Sequence, residues 1–435
     1  MKRINVKIDL IACMDIHRGY YSKDINEDMI GKRVRVAGWI SDIRELSTIT
    51  FLIINDIYGP IQIISSNINK IPKQSIIAVD GIVQRSRSKT MPLEIKAERI
   101  DLLAEAVHPL PLDPSGRIDS SLDVRLDARA LDLRNINTRA IFKIRHHALQ
   151  SIRTTLIKHN FIEVNTPKII GSASEGGANL FAFKYFNKQA YLAQSPQLYK
   201  EQLTLALDRV FEIAAYYRAE KSHTIRHLNE FISIDIEAAF MDAEDVMNIA
   251  EEVIIDVFAY ITRYASKELE VLNINHEIPK IPFERLTYAR IIDELKRDIK
   301  IEYGDDLPDH GLRLLGERHK GFYFITDWPL ELKPFYIHAK DDEPNLSCSF
   351  DLQHGYLELA SGGRREHNPN ILKKRLVEQG LKPEDFADHR KVFEWGMPPH
   401  SRWGLGFARL LMILTNTNNI REVVLYPRDT ERLTP

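Results

Sequence analysis

The chain has almost no cysteine: Cys13 and Cys348 are the two thiols among 435 residues. Two thiols make neither a disulfide framework nor a cysteine-based metal site, and such scarcity suits a reducing compartment. Long apolar runs are missing as well. No stretch reaches the ~18 residues a membrane-crossing helix requires. The apolar patch in "MKRINVKIDLIACMDIHRGY" is too short and too broken by charge for a secretory leader. The expected location is therefore the cytoplasm, with no membrane partner. Low-complexity segments and internal repeats are lacking, which excludes solenoids and disordered tracts. Net charge is nearly nil, at −2, and by itself argues neither for nor against nucleic acid. Its distribution says more, because residues 1–100 carry 16 Lys and Arg against 11 Asp and Glu and the remainder is acidic. A mildly basic module on an acidic body is compatible with a polyanionic partner for the smaller part.

The length predicts two or more domains. Residues 33–100 read as five short strands, "RVRVAGWISDI", "ITFLIINDI", "GPIQIIS", "SIIAVDGIVQ" and "PLEIKAERIDLLA", separated by turn signals such as Tyr58-Gly59-Pro60. Five strands in so short a span fit a small closed barrel of the OB type, with an SH3-like barrel or an open meander as alternatives. Pro109, Pro111, Pro114 and Gly116 then mark a linker. From about residue 138 long amphipathic helices, "TRAIFKIRHHALQSIRTTLIKHN" and "AEDVMNIAEEVIIDVFAYITRYASKEL", interleave with strands without βαβ alternation. That pattern predicts an α+β domain built on an antiparallel sheet. The expected division is 1–16 as an extension, 17–105 as the barrel domain, 106–137 as linker and 138–435 as the large domain.

Three stretches concentrate chemistry. In "YYRAEKSHTIRHLNEFISIDIEAAF" a strand-like alternation puts Asp235 and Glu237 on one face, behind a loop rich in Arg, Lys, His and Glu. In "FDLQHGYLELASGGRREH", Asp351 and Glu358 flank Gly355, and Ser361 leads to Arg364 and Arg365. In "WGLGFARLLMIL", a Gly-x-Gly turn ending at Gly406 enters an apolar helix with Arg409 in its first turns. This last is not a dinucleotide fingerprint, since the third glycine and the βαβ unit are missing. Taken singly, each has a plain reading as a solvated hairpin loop, a pair of surface acids and a close-packed helix start. Their order and residue types, taken together, are harder to explain that way.

The three segments resemble the three motifs of class II aminoacyl-tRNA synthetases. The chain from about residue 17 is similar to aspartyl-tRNA synthetases of the archaeal and eukaryotic type. The strings that carry this are "GWISDIRELSTITFLIIND", "LDPSG", "RLDARALDLRN", "FIEVNTPKI", "SEGGANLF", "AQSPQLYK", "YYRAEKSHTIRHLNEF", "SGGRREH", "GLGFARL" and "YPRDTERLTP". Between "IEAAF" and "FDLQHG" about 110 residues intervene, so the bulky extra domain of bacterial members is expected to be absent. Residues 1–16 lie outside the resemblance, and Met14 stands where family members begin.

The implied reaction joins two anions, the aspartate α-carboxylate and the α-phosphate of ATP. It therefore calls for positioning and charge stabilisation by arginines and Mg²⁺ more than for acid–base groups. By resemblance Arg218 holds the α-phosphate, Glu220 meets the adenine, His227 the γ-phosphate, and Phe231 stacks on one adenine face while Arg409 covers the other. Arg226, Leu228 and Gly406 belong to the same ATP set. For Arg226, as for Lys221, solvent or the tRNA acceptor end is the competing destination. Asp351 and Glu358, with Ser361 close by, are the implied Mg²⁺ ligands. The catalytic trio is Arg218, Glu358 and Arg409.

For the amino acid, the resemblance implies that Lys200 and Arg365 hold the substrate side-chain carboxylate and that Asp235 steadies both cations. Glu175 closes over the substrate ammonium, and Ser195 and Gln197 complete the contacts. An asparagine substrate would leave those buried cations unpaired, which disfavours an asparaginyl-tRNA synthetase. A synthetase-derived amide-forming enzyme would keep the adenylate chemistry without charging tRNA, and the barrel argues against it. A non-catalytic RNA-binding paralogue is disfavoured by the presence of Arg218, Glu358 and Arg409 together. In the barrel the implied anticodon contacts are Arg44, Phe51, Gln62 and Glu94, with Phe51 stacking on the central base. Family members restricted to tRNA-Asp tend to carry a Trp two residues beyond the strand Trp and a Lys before the last strand. Ser41 and Thr90 stand at those positions here, so the reading extends to a non-discriminating enzyme that also aspartylates tRNA-Asn. A homodimer is implied, with Pro167 at its interface.

Overall fold

The structure is a computed structural model that describes residues 15–66, 70–171, 180–221 and 224–435. Glu175 and residues 1–14 of the expected extension fall outside these ranges. Two compact units are present, Met1–Asp119 and Ser120–Pro435.

In the first unit five strands close a barrel in the order β1-β2-β3-β5-β4: β1 (Arg33–Glu45), β2 (Thr50–Asn55), β3 (Pro60–Ser65), β4 (Ile76–Arg85) and β5 (Leu93–Ala104). Their period-2 alternation sends Val34, Val36, Ile40, Leu52, Ile54, Ile61, Ile63 and Ile95 inward to one core. The residues between them face outward. Gly38 and Gly81 let neighbouring strands approach: a Cβ on either would lie 2.2 or 2.3 Å from the backbone oxygen of Asn55 or Lys96.

The second unit holds an eight-stranded sheet in the order β12-β13-β14-β15-β16-β11-β10-β6. Its members are β6 (Ile162–Glu163), β10 (Arg209–Tyr217), β11 (Glu230–Ala239), β12 (Glu284–Thr287), β13 (Phe322–Thr326), β14 (Ser349–His354), β15 (Leu357–Arg364) and β16 (His400–Gly406). The six inner strands are antiparallel, and one parallel strand is added at each edge. Three further strands, β7 (Ile169–Ile170), β8 (Ala182–Tyr185) and β9 (Lys188–Leu192), make a separate small sheet.

Two long helices cover one face of the large sheet. Asn135 caps the helix Ile136–Lys158, whose Ile141, Ile144, Ala148, Ile152 and Leu156 recur at helical spacing. Asp242 and Asp245 form a reciprocal cap on the helix Ala243–Tyr264. Both apolar stripes bury against the undersides of β11, β14, β15 and β16, including Ile234, Ile236, Leu352, Trp403 and Leu405. The opposite face of the sheet is left for the polar groups.

Two expectations differ from what is found. The helix expected through residue 269 stops at Tyr264, where Ala265 leaves helical angles (φ −125°, ψ 25°), and a short helix Ser266–Val271 follows. Residues 120–137, expected in the linker, belong to the second unit and form helices Leu122–Asp127 and Arg129–Asp132. The reason is Arg129. Its buried guanidinium pairs with Asp132 at 2.8 Å and donates to the carbonyls of Arg421, Glu422, Val424 and Leu425, tying this segment to the chain's last turn.

Candidate active site

The open face of the large sheet carries a polar rung. Register pairs Glu212 of β10 with Asp235 of β11, Asp235 with Gly404 of β16, Gly404 with Ser361 of β15, and Ser361 with Asp351 of β14. Directly opposed residues share a face, so side chains far apart in sequence line up across five strands. The adjacent rung on the same face pairs Glu237 with Arg402 and Arg402 with Gly363. Glycine at 404 is what lets the rungs meet: a Cβ there would stand 2.8 Å from Asp235 Oδ1 and 3.4 Å from Arg402 Nη1.

Glu358 joins this face through a defect. It lies three residues before Ser361, which in a regular strand would point it the other way. The pairing steps from Leu352–Ala360 to Gln353–Glu358, so β15 holds one extra residue, Leu359. Leu359 and Ala360 both pack into the core beneath. Glu358 is thereby turned up into the cleft.

That cleft has a volume of about 330 Å³. Its hairpin end is built by the loop between β10 and β11 and by the start of the helix Phe407–Leu414. Arg218, Glu220, Arg226, His227, Leu228, Phe231, Glu358, Gly406 and Arg409 all line it. Arg218 lies over the Phe231 ring at 5.4 Å. Asn229 Nδ2 donates to the carbonyls of Arg218 and Glu220 at 2.7 and 2.9 Å and folds the loop back. Arg226 pairs with Asp309 at 2.6 Å. Arg409 Nη1 donates to the Glu358 carbonyl at 2.8 Å. Burial and the nearby Arg409 cation lower the pKa of His227, whose Nδ1 lies 2.6 Å from Thr224 Oγ1. Glu358 is exposed to the cleft, its side chain 47% accessible, and partial desolvation there, with the Asp351 carboxylate beside it, pushes its pKa up. Asp351 itself is buried and pairs with Lys333 Nζ at 2.9 Å.

At the inner end, Ser195, Asp235, Ser361 and Arg402 line the cleft. Lys200 and Arg365 do not. They are buried beyond its inner end, 1% and 0% exposed, as is Gln197 at 0%. Lys200 Nζ donates to Asp235 Oδ1 at 3.1 Å and to the Ile236 carbonyl at 2.9 Å, and lies 3.4 Å from Glu237. Arg365 donates to Gln197 and lies over the Tyr336 ring at 4.1 Å. Beneath them Glu201 meets His389 at 3.2 Å, and His400 lies 3.7 Å from Glu237. Burial works against a charged Asp235, but Lys200 and Arg402 hold its pKa below the usual value. Glu237 is pushed up by burial, which outweighs Lys200, His400 and Arg365. Among the polar residues that line the cleft, sequence reasoning missed Gln194, Tyr216, Ser233, Tyr336 and Arg402. A signal for Arg402 was present: it stands two residues before Gly404, hence on the same face of β16.

The barrel presents a second surface. Arg44 pairs in register with Phe51, Phe51 with Ile64, and Gln62 with both Ile53 and Glu94. Arg44, Phe51, Gln62 and Glu94 therefore share the outer face, and Phe51 is not part of the barrel core. Gln62 Nε2 donates to Glu94 Oε2 at 2.6 Å, and Gln84 Nε2 to Glu94 Oε1 at 2.7 Å. Ser41 spends its hydroxyl on the Ile53 carbonyl at 3.0 Å.

A five-stranded closed barrel and a six-stranded antiparallel platform with helices on one face and a cation-lined cleft on the other define a class II aminoacyl-tRNA synthetase. Comparison with known proteins agrees. Residues 121–430 match the model for tRNA synthetases class II (D, K and N), and residues 34–103 match the OB-fold nucleic acid binding domain. The chain belongs to the class II tRNA synthetases of the D, K and N group, whose reaction uses ATP as a substrate. It is 46% identical to the aspartate–tRNA(Asp/Asn) ligase of Methanopyrus kandleri over 95% of this chain and 99% of that one. To the aspartate–tRNA(Asp) ligase of Thermococcus kodakarensis it is 42% identical over 97% and 100%. Among solved structures, asparaginyl-tRNA synthetase from Pyrococcus horikoshii with asparaginyl-adenylate superposes with a TM-score of 0.90 at 30% identity, covering 96% of this chain and 100% of that one. No helix among the described residues is long and apolar enough to cross a membrane.

Proposed function

We propose that the chain is an aspartate–tRNA ligase. An α-carboxylate oxygen of aspartate attacks the α-phosphorus of ATP, and the bond to the bridging oxygen breaks with departure of pyrophosphate. A terminal ribose hydroxyl of tRNA then attacks the aspartyl carbonyl, and AMP leaves. The observation that carries this reading is the polarity of the cleft: a hairpin end lined by Arg218, His227 and Arg409 around Phe231, and an inner end built on the Lys200–Asp235–Arg402 cluster.

Arg218 and Arg409 take the phosphates, a task suited to guanidinium forks, and Phe231 and Arg409 sandwich the adenine. Glu220 meets the adenine edge, and His227, held largely neutral by its surroundings, serves the γ-phosphate as a hydrogen-bonding group. Leu228 and Gly406 shape the wall, and Arg226 is held at the rim by Asp309. Asp351, Glu358 and Ser361 suit Mg²⁺ as hard oxygen donors brought to one face by the β14–β15 pairing. When bound, the ion neutralises phosphate charge. Lys200 and Arg365 supply the cationic background of the inner end, Asp235 and Gln197 steady them, and Ser195 and Glu175 serve the substrate backbone. The barrel face of Arg44, Phe51, Gln62 and Glu94 takes the anticodon bases. Ser41, spent on a strand carbonyl, offers nothing that excludes the last base of tRNA-Asn, so both tRNA-Asp and tRNA-Asn are substrates. Exposed Ile162 and Ile169, which flank Pro167 in the sequence, support a homodimer through that edge.

The test is charging with labelled aspartate and labelled asparagine, each on tRNA-Asp and tRNA-Asn transcripts. Aspartate on both tRNAs is expected. Aspartate on tRNA-Asp alone removes the relaxed specificity, and asparagine on either overturns the choice of amino acid.

A further inference from the structure

Two groups of three potential metal ligands converge among the described residues of the larger unit. Glu201, Glu237 and His400 form one, but cations already stand beside them: Lys200 Nζ lies 3.4 Å from Glu237, and Arg365 Nε lies 3.7 Å from Glu201 and 3.9 Å from Glu237. A metal ion there would meet two fixed positive charges. The other group is His338, Glu366 and His367, whose ligand atoms all lie within 4.8 Å of one another. Glu366 and His367 follow the end of β15, and His338 comes from the segment beside it, its backbone N–H donating to the Arg364 carbonyl at 3.0 Å.

The contacts within this trio favour a cation. His338 has a carboxylate oxygen at each ring nitrogen, with Glu366 Oε2 3.0 Å from Nδ1 and Asp341 Oδ1 3.4 Å from Nε2. A neutral imidazole carries one N–H, so one nitrogen turns a lone pair toward a carboxylate unless a proton or a metal ion comes between. His367 Nδ1 is buried and has no hydrogen-bond partner among the described residues. Glu366, 3% exposed, accepts the Asn368 N–H on Oε1 at 2.8 Å, which leaves Oε2 turned to His338. The neighbouring Arg364 is directed to Asp341, at 3.5 Å.

We propose that His338, Glu366 and His367 bind a divalent transition metal of the Zn²⁺ type, with Asp341 orienting His338 from outside. Two imidazoles and a carboxylate suit Zn²⁺ and its neighbours, whereas Mg²⁺ takes oxygen donors. A ligating histidine commonly gives its other ring N–H to a carboxylate, and Asp341 stands beside Nε2 for that. Bonds of ~2.1 Å put the ligand atoms of a four-coordinate zinc about 3.4 Å apart, so the trio closes on the ion through side-chain movements of about 1 Å. A fourth position is left for water or a small anion. The ion ties the strand end that carries Arg365 to the segment that carries Tyr336, whose ring lies 4.1 Å from that guanidinium.

The experiment titrates Co²⁺, a spectroscopic substitute for Zn²⁺, into the chelator-stripped full-length chain in excess Mg²⁺ and follows the visible d–d bands that nitrogen ligation intensifies. About one equivalent is expected to bind despite the Mg²⁺, to be displaced by Zn²⁺, and to raise the unfolding midpoint by about 2–5 °C. His338→Gln and His367→Gln should each weaken binding about 100-fold or more and Asp341→Asn about 10-fold, while Glu358→Gln leaves it unchanged. Asp341 is 83% exposed, so its variant keeps the test open if a histidine variant fails to fold. Bands that are absent, that vanish with Glu358→Gln, or that survive both histidine substitutions would overturn the inference. These readouts involve neither aspartate nor tRNA, so their failure is distinct from failure of the proposed reaction.

Discussion

Lys200→Met is the perturbation that most directly tests the account of the inner end. The ammonium is 1% exposed and lies 3.1 Å from Asp235 and 3.4 Å from Glu237, so methionine fills its space but strips two buried carboxylates of their common partner. At an effective dielectric of ~20 each contact amounts to roughly 5 kcal/mol, much of it offset by the cost of desolvating the ions. Removing one partner of a buried pair costs about 3–5 kcal/mol, a large part of the ~5–15 kcal/mol typical of a domain. Arg402 at 3.4 Å remains for Asp235, whereas Glu237 keeps only His400 at 3.7 Å and Arg365 at 3.9 Å. The loss therefore falls mainly on Glu237.

The pH dependence gives a second handle. Glu237 is already raised above its ordinary 4.5 by burial, so the stability tied to its protonated form is complete below that value and is lost as pH rises through the folded value. Without Lys200 the folded value climbs further, and that loss grows. Asp235 is held low, with Lys200 countering its burial, so Lys200 contributes stability through it above its ordinary 3.8, and this fades as pH falls through the folded value. Both effects make the variant's deficit smaller in acid and larger toward pH 8. Urea unfolding should be followed by tryptophan fluorescence, because Trp328, Trp395 and Trp403 report on the larger unit and Trp39 on the barrel. Adding Glu237→Gln to the variant should recover at least ~1 kcal/mol as coupling between neighbours. A deficit below ~1 kcal/mol at pH 8, or one that does not change with pH, would refute the reasoning.

Two further outcomes follow from geometry described above. Gly404→Ala places a methyl 2.8 Å from Asp235 Oδ1, and since Asp235 is pinned by Lys200 the strand must give, at a cost of about 1–3 kcal/mol in unfolding free energy and with a raised KM for aspartate in pyrophosphate exchange. Phe51→Ala removes an outward ring from the barrel, so tRNA charging should fall in kcat/KM by roughly 5- to 100-fold, the range of one base stack, while pyrophosphate exchange without tRNA is unaltered.

The barrel was legible because its strands alternate cleanly and are punctuated by turn residues, so the five expected runs and β1–β5 differ by a residue or two at their ends. The two long helices were legible for the matching reason, an apolar stripe at helical spacing. Asp235 and Glu237 were correctly placed on one face from alternation alone. The burial of Lys200 and Arg365 was not legible, because the partners that enclose them, Asp235 and Glu237 for Lys200 and Gln197, Glu201 and Glu237 for Arg365, stand far from each in the sequence and have no local signature. Arg129 was hidden for a similar reason: an arginine amid a charged run reads as solvated until the carbonyls of residues 421–425 close around it. Local patterns report which way a residue points within its own element, and pairing across elements decides what it meets.

The extra residue in β15 makes the orientation of Glu358 a matter of parity. One residue inserted between Glu358 and Leu359, with the bulge unchanged, would rotate Glu358 into the space under the sheet, with every side chain of the carboxylate pair still present in the sequence. A relative could then keep each residue of the motif and still lack the site. For this strand, residue count is as much a functional character as residue identity, and a one-position gap in a comparison of sequences here would carry more meaning than most substitutions.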